Sequence, residues 1–258
     1  MVHTSTERHW LAGVDGCPGG WIVVFVQPDM TGAPPRIVSS FAEIAFAPEQ
    51  PRIITVDVPI GLPARSPAKG RLAESEVRAL LGERKSSVFR VPSRRAVEAS
   101  VLIEPVDERE RFLAACKIAR ETSEDGKAFA KQGFNILPKV AEVDRFLREH
   151  RDWIGRVYET HPELAFWQLN DEEPLVLAKK IKSRVSAPGL DLRRDLLAKF
   201  GFAKQLISQP APKGAGDDDL IDALACAATA LRIEKGLAQS FPRSPPRDEF
   251  GLPMAIWA

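Results

Sequence analysis

Over the first sixty positions the apolar residues come in short unbroken runs rather than at helical intervals. Trp10-Leu11-Ala12-Gly13-Val14-Asp15 reads as a strand, Gly16-Cys17-Pro18-Gly19-Gly20 as a turn, and Trp21-Ile22-Val23-Val24-Phe25-Val26 as a second strand. Together they predict a hairpin. The second run is apolar on both faces, which places it centrally in a sheet covered on each side, as in a layered α/β domain. A third strand is expected over Arg36 to Phe41 and a fourth over Arg52 to Asp57, stopped by Pro59-Ile60-Gly61-Leu62-Pro63. From Ser66 to His150 the period becomes helical. Ala73, Val77, Leu80 and Leu81 share one helix face before a stop at Gly82. Phe112, Cys116 and Ala119 mark a second helix, and Val140, Val143, Phe146 and Leu147 a third, with Pro138 near its start. Ile154 to Glu159 returns to strand character, and Pro162 opens a helix through Leu164, Phe166, Trp167 and Leu169. Asp191 to Phe200, closed by Gly201, is another helix. The last carries Leu220, Leu224, Ala228 and Leu231 as its apolar stripe, with Gly236 as its stop. The whole predicts a single domain over residues 1–258, with a helical insertion at about 64–150 and a proline-rich tail at about 241–258 packing back on it.

Composition narrows the class. A chain of 258 residues can bury a sizeable core, and its net charge of +1 supplies no global field for nucleic acid, so any such binding must come from a local patch. Cys17, Cys116 and Cys226 are odd in number and far apart, which argues against a disulfide scaffold or a structural zinc site and suits a reducing cytoplasm. No run approaches the roughly 18 apolar residues of a membrane span, and Met1 to His9 are polar rather than signal-like, so no membrane partner is expected.

The candidate chemistry lies in acids. Gly216-Asp217-Asp218-Asp219-Leu220-Ile221-Asp222-Ala223-Leu224-Ala225 places four carboxylates on the opening turns of an apolar helix. Acids at a helix start are explained by capping and the dipole, and Asp217 and Asp218 are read that way. Asp222 resists this explanation, because it lies a turn inside among apolar neighbours. Asp15, Asp57 and Glu159 each end an apolar strand, where a carboxylate is costly unless something positive meets it. Asp15, Asp57, Asp219, Asp222 and Glu159 can be separate caps and ion pairs, or they can be one all-oxygen site for magnesium or manganese. Two such ions about 4 Å apart activate water in phosphodiester hydrolysis. Between the first two insertion helices, Glu83 to Arg95 carries Arg84, Lys85, Arg90, Arg94 and Arg95 against one acid. That run is either a solvated loop or a phosphate-binding patch.

Six motifs carry a resemblance: Gly13 to Trp21, Asp57 to Pro63, Leu81 to Phe89, Pro138 to Asp144, Glu159-Thr160-His161-Pro162-Glu163, and Asp218-Asp219-Leu220-Ile221-Asp222-Ala223. In this order they resemble domain-of-unknown-function family 429, described as predicted nucleases of the ribonuclease H-like fold. The resemblance runs from Gly13 to the C-terminus. It implies an α/β fold: a central mixed sheet, its first three strands antiparallel, flanked by helices, with the arginine-rich insertion between the fourth and fifth strands. It also implies that Asp15, Asp57, Asp219 and Asp222 hold two magnesium or manganese ions. Glu159 would be a further ligand or a residue orienting water. His161 would assist proton transfer or bind phosphate, while Arg84, Lys85, Arg90, Arg94 and Arg95 would contact the backbone of RNA, DNA or a branched substrate.

Two other readings compete. A nucleotide-dependent phosphotransferase of the same fold needs a hydroxyl or lysine in its phosphate loop, and Gly16 to Gly20 has neither. A non-catalytic module binding nucleic acid or protein is compatible with the near-neutral charge.

Overall fold

In the computed structural model, which describes residues 9–101, 107–182 and 184–258, the first two apolar runs form strands β1 (Leu11–Cys17) and β2 (Gly20–Val26). The polar start over Met1 to Arg8 lies outside the described residues. The two strands pair antiparallel from Leu11 opposite Val26 to Cys17 opposite Gly20. At Gly20 φ is +129°, and a Cβ there would lie 2.3 Å from the Val38 carbonyl oxygen, so the turn requires glycine.

Strand β3 (Arg36–Val38) is shorter than its sequence suggests, because Phe41 opens a helix, α1 (Phe41–Ala45). The signal was local. Ser39 and Ser40 donate their hydroxyls to Glu43 at 2.5 and 3.1 Å, and Glu142 accepts from the Phe41 N–H at 2.5 Å, so the backbone is captured by helix-start bonds rather than a ladder.

Strand β4 (Ile53–Val56) is followed by the insertion: α2 (Leu72–Leu80), a 3₁₀ turn over Gly82–Ser87, α3 (Arg94–Ser100), α4 (Glu108–Glu121), α5 (Lys131–Phe134) and α6 (Leu137–Glu149). Then come β5 (Val157–Glu159), α7 (Pro162–Leu169), a hairpin of β6 (Lys180–Ile181) and β7 (Arg184–Val185), α8 (Ala187–Phe200), α9 (Lys204–Ser208) and α10 (Asp217–Glu234). The tail closes with β8 (Ser240–Phe241) paired to β9 (Ile256–Trp257).

The main sheet has the order β3-β2-β1-β4-β5. Its β3-β2-β1 half is antiparallel, whereas β4 runs parallel to β1 and β5 parallel to β4, so the sheet is mixed. Strand alternation divides the core. Val14, Trp21, Val23, Phe25, Ile54 and Val56 pack under α1 and the insertion, while Leu11, Ile22, Val24 and Val26 pack under α7, α8 and α10. Helix α10 is covered on nearly every side, with Leu220 to Leu231 all buried, so the four-residue stripe in its sequence understates its burial. Among the described residues, no helix is long and apolar enough to cross a membrane.

The insertion is pinned to the β1–β2 hairpin through α6. Glu142 accepts from Trp21 Nε1 at 3.0 Å as well as from Phe41, and Lys139 donates to the Gly20 carbonyl at 2.5 Å with its ammonium over the Trp21 ring. The motif from Pro138 to Asp144 therefore fastens two layers together.

Candidate functional site

Adjacent parallel strands bring the first two acids together. Val14 stands beside Val56, and the Asp57 N–H donates to the Val14 carbonyl at 3.1 Å, so Asp15 and Asp57 leave the sheet side by side. Val14 and Val56 enter the core beneath the insertion, and by the two-residue alternation Asp15 turns to the opposite face, which α10 covers, while Asp57, one residue past the end of β4, lies at the sheet edge beside His161 and Lys179.

Helix α10 comes unusually close. A Cβ on Gly13 would lie 2.1 Å from the Ala227 nitrogen and 2.2 Å from the Ala223 oxygen, so helix backbone rests directly on strand backbone. Thr55 seals the contact by donating its hydroxyl to the Cys226 carbonyl at 2.6 Å. The approach carries Asp219 and Asp222 towards Asp15.

Burial is the largest influence on these acids. It pushes Asp15 well above the usual carboxylate range, aided by the neighbouring charges of Asp57 and Asp219 and opposed by Lys179. Burial also raises Asp57, against His161 and Lys179, and raises Asp219, against its hydrogen bond from the Gly216 N–H.

Lys179 lies among all of them. Its ammonium pairs with Asp222 Oδ2, while Lys180 pairs with Asp218 at 2.5 Å. The lysine backbone is held firmly by α8: Ser186 N–H donates to the Lys179 carbonyl at 2.8 Å, Arg193 donates to the Leu177 carbonyl at 3.0 Å, and Gly189 allows Ala178 to pack against the helix start. Buried Arg193 is fixed in turn by Glu163, at 2.6 and 2.8 Å. Sequence reasoning missed Lys179 and Lys180. They sit in a segment without periodicity, and nothing local marks them as neighbours of β1.

The acidic helix start is divided differently from its sequence reading. Gly216 is the N-cap, and Asp219 Oδ2 accepts from the Gly216 N–H at 2.8 Å, so Asp219 does the capping. Asp217 accepts from the Ala211 N–H at 3.1 Å, and Asp218 is buried against Lys180. Asp222 is 3% exposed, and its Oδ1 is buried without a hydrogen-bond partner.

Glu159 does not join this group. It pairs with Val56 across β4–β5, so it shares that residue's face, opposite to Asp15. There its oxygens accept from Arg71 at 2.6 Å and from the Ile60 N–H at 2.7 Å, while Arg71 also holds Glu74 at 2.6 Å. Burial, opposed by Arg71, pushes Glu159 up to about 7. His161 is the N-cap of α7 beside Asp57, with Nε2 3.4 Å from the Ser87 carbonyl and a buried, unpartnered Nδ1.

The basic run is split. Arg94 is buried and bonded to Asp144 and Asp248 at 2.5 Å and to Glu249 at 3.1 Å, which removes it from any substrate surface. Arg90 is bound to Asp125 at 2.7 Å and to the Lys127 carbonyl at 2.9 Å. Arg84 reaches Glu83 at 3.4 Å, and Lys85 and Arg95 are exposed.

Among the described residues, no three His, Cys, Asp or Glu side chains stand as a ready-made metal centre. The donor chemistry still fits a hard divalent cation: Asp15, Asp57, Asp219 and Asp222 offer only oxygens, and Asp222 Oδ1 is a buried acceptor with nothing to accept from. Lys179 supplies the positive charge among these acids in the arrangement seen. Burial pushes the thiols of Cys17 and Cys226 up, so neither is an activated nucleophile.

The family model described as "Protein of unknown function (DUF429)" matches residues 13–247. No curated protein and no solved structure matches the chain.

Proposed function

This chain belongs to the DUF429 family of proteins of unknown function, and from that premise we propose that it is a metal-dependent nuclease of the ribonuclease H-like fold, hydrolysing nucleic-acid phosphodiester bonds. The observation that carries the reading is Asp222, a buried carboxylate with one orphaned oxygen, linked through the Lys179 ammonium to Asp15, Asp57 and Asp219, all of which that ammonium also reaches. An unsatisfied acceptor in that position costs about 1–3 kcal/mol, a cost that a bound cation would remove. The order of elements supports the fold assignment: an antiparallel β3-β2-β1 half, parallel β4 and β5, and an acidic last helix laid on β1.

Asp15, Asp57 and Asp222 would hold the ions, with Asp219 reaching them through the oxygen not used by Gly216. Magnesium or manganese, when bound, would supply an activated water and stabilise the leaving oxygen. Lys179 balances the acid charge otherwise and must yield Asp222 when a cation enters. His161, next to Asp57, would move a proton or touch a phosphate. Lys85 and Arg95, both exposed, and the half-buried Arg84 would serve the substrate backbone.

The test is direct. Single-stranded, duplex, hybrid and branched substrates are incubated with the protein and magnesium or manganese, beside Asp15→Asn and Asp222→Asn. Cleavage should require metal and fall by roughly two orders of magnitude or more in either variant, since a metal's contribution is several kcal/mol. Cleavage that persists in both variants, or is absent with every substrate and metal, would overturn the reading.

A second reading is favoured by the Lys179–Asp222 pair: the chain's own ammonium balances the acids permanently, and the protein is a non-catalytic binding module. Calorimetric titration with manganese separates the two. Saturable binding that Asp222→Asn removes supports the nuclease. No heat of binding supports the module.

A further inference from the structure

A cavity of about 470 Å³ is lined by Asp57 and His161 together with Phe89, Phe129, Gln132 and Ser87. It lies between the 3₁₀ turn that follows α2 and the segment leading into α5, so it belongs to the insertion rather than to the sheet. Its volume is that of a small-molecule site, and its mixture of aromatic surface with a few polar groups is what such sites use.

The wall is built rather than collapsed. Phe129 is half-buried, with its ring stacked on Phe134 at 6.5 Å between centroids and 18° between planes. Arg90 ties Asp125 and the Lys127 carbonyl together just before Phe129, which braces that wall. His161 also lines the cavity, with its Nε2 3.4 Å from the carbonyl of Ser87, another lining residue.

We propose that this cavity receives one unpaired nucleobase of the substrate, flanked by Phe89 and Phe129, with its sugar-phosphate directed to Asp57. Aromatic rings are the usual platform for splayed bases, and Gln132, Ser87 and His161 offer hydrogen-bonding groups for a base edge. A base can enter only when it is out of a duplex stack, so the substrate is single-stranded or locally opened. The assignment rests on the nuclease reading for its substrate class, but the cavity is tested without any cleavage.

Binding of the four ribonucleoside 5′-monophosphates and of ribose 5-phosphate is measured calorimetrically in EDTA. At least one nucleotide should bind tenfold or more tightly than ribose 5-phosphate. Phe129→Leu keeps apolar volume but removes the ring, and should weaken that nucleotide roughly tenfold, within the range for one stacked base, at an unchanged Tm. Phe129→Tyr should retain binding. Equal binding of nucleotide and ribose 5-phosphate, or a folded Phe129→Leu that binds like the wild type, overturns the base pocket. Nucleotide binding in a protein that cleaves nothing leaves the pocket standing and removes only the nuclease reading. Cleavage without base binding does the reverse.

Discussion

Glu159 shows how far a residue's neighbours decide its role. It shares a single guanidinium, that of Arg71, with Glu74 in a fully buried cluster. One positive charge cannot offset two buried negative ones, and burial, opposed by Arg71, raises Glu159 to about 7. The sign of the pH effect follows. In the unfolded chain the acid titrates near its ordinary value of about 4.5, so the folded protein binds the extra proton between those values. The contribution to stability is fully present below about pH 4.5 and is lost as pH rises through about 7, by an amount on the order of a few kcal/mol. Urea denaturation of Glu159→Gln between pH 5 and 8 should therefore lose part of the decline the wild type shows. An unchanged slope in the variant would mean that Glu159 is ionised throughout. In sequence Glu159 resembled Asp15 and Asp57, since all three end apolar strands. The pleat separates Glu159 from Asp15: level with Val56, it faces the insertion.

At the scale of elements, the decisive contact is α10 on β1. Glycine at position 13 lets the two backbones touch, and that contact brings Asp219 near Asp15 and Asp222 onto Lys179, which also reaches Asp15. Gly13→Ala would push a methyl to within 2.1 Å of the Ala227 nitrogen, and a main-chain atom cannot rotate away. Overpacking of this kind costs about 3 kcal/mol or more. The variant should show a lower urea midpoint at unchanged m-value, and any manganese binding should weaken along with it. A wild-type midpoint would show that the helix can shift without penalty. The hairpin bearing Lys180 is the contrasting element. Its two-residue strands carry no readable pattern, and Lys179 reaches the acids only because α8, through Arg193 and Gly189, fixes the segment before it.

Across the whole molecule, Arg94 joins segments far apart in the chain: α3, α6 through Asp144, and the tail through Asp248 and Glu249. Its sequence context, a basic run, suggested phosphate binding, yet it is 4% exposed. Removing one partner of a buried network leaves the others unpaired, so Arg94→Ala should cost roughly 3–5 kcal/mol and lower Tm markedly. Loss of nucleic-acid affinity without loss of stability would contradict this placement. With a global charge of only +1, the proposed nuclease would depend for its substrate on local cations such as Arg84, Lys85 and Arg95. With about three phosphate contacts, log K should fall with log salt no more steeply than a slope of about −3, and Lys85→Gln should reduce that slope by nearly one.

The sequence alone determined the layered α/β class, because continuous β-branched runs pack only as covered strands and 3.6-residue spacing packs only as helices. It also determined the family, through motifs running from Gly13 to Ala223, within the stretch 13–247 that the family model matches. Asp15, Asp57 and Asp222 stood out because each carboxylate follows or interrupts an apolar run. Tertiary structure decided which acids share a face. That depends on strand register and on the close approach of α10, both set by pairings across many residues that no local pattern encodes. The same holds for Lys179, brought to Asp222 across 43 positions of chain, and for the burial of Arg94. A charge's role is fixed by what surrounds it, and for these two the surroundings are assembled from distant segments.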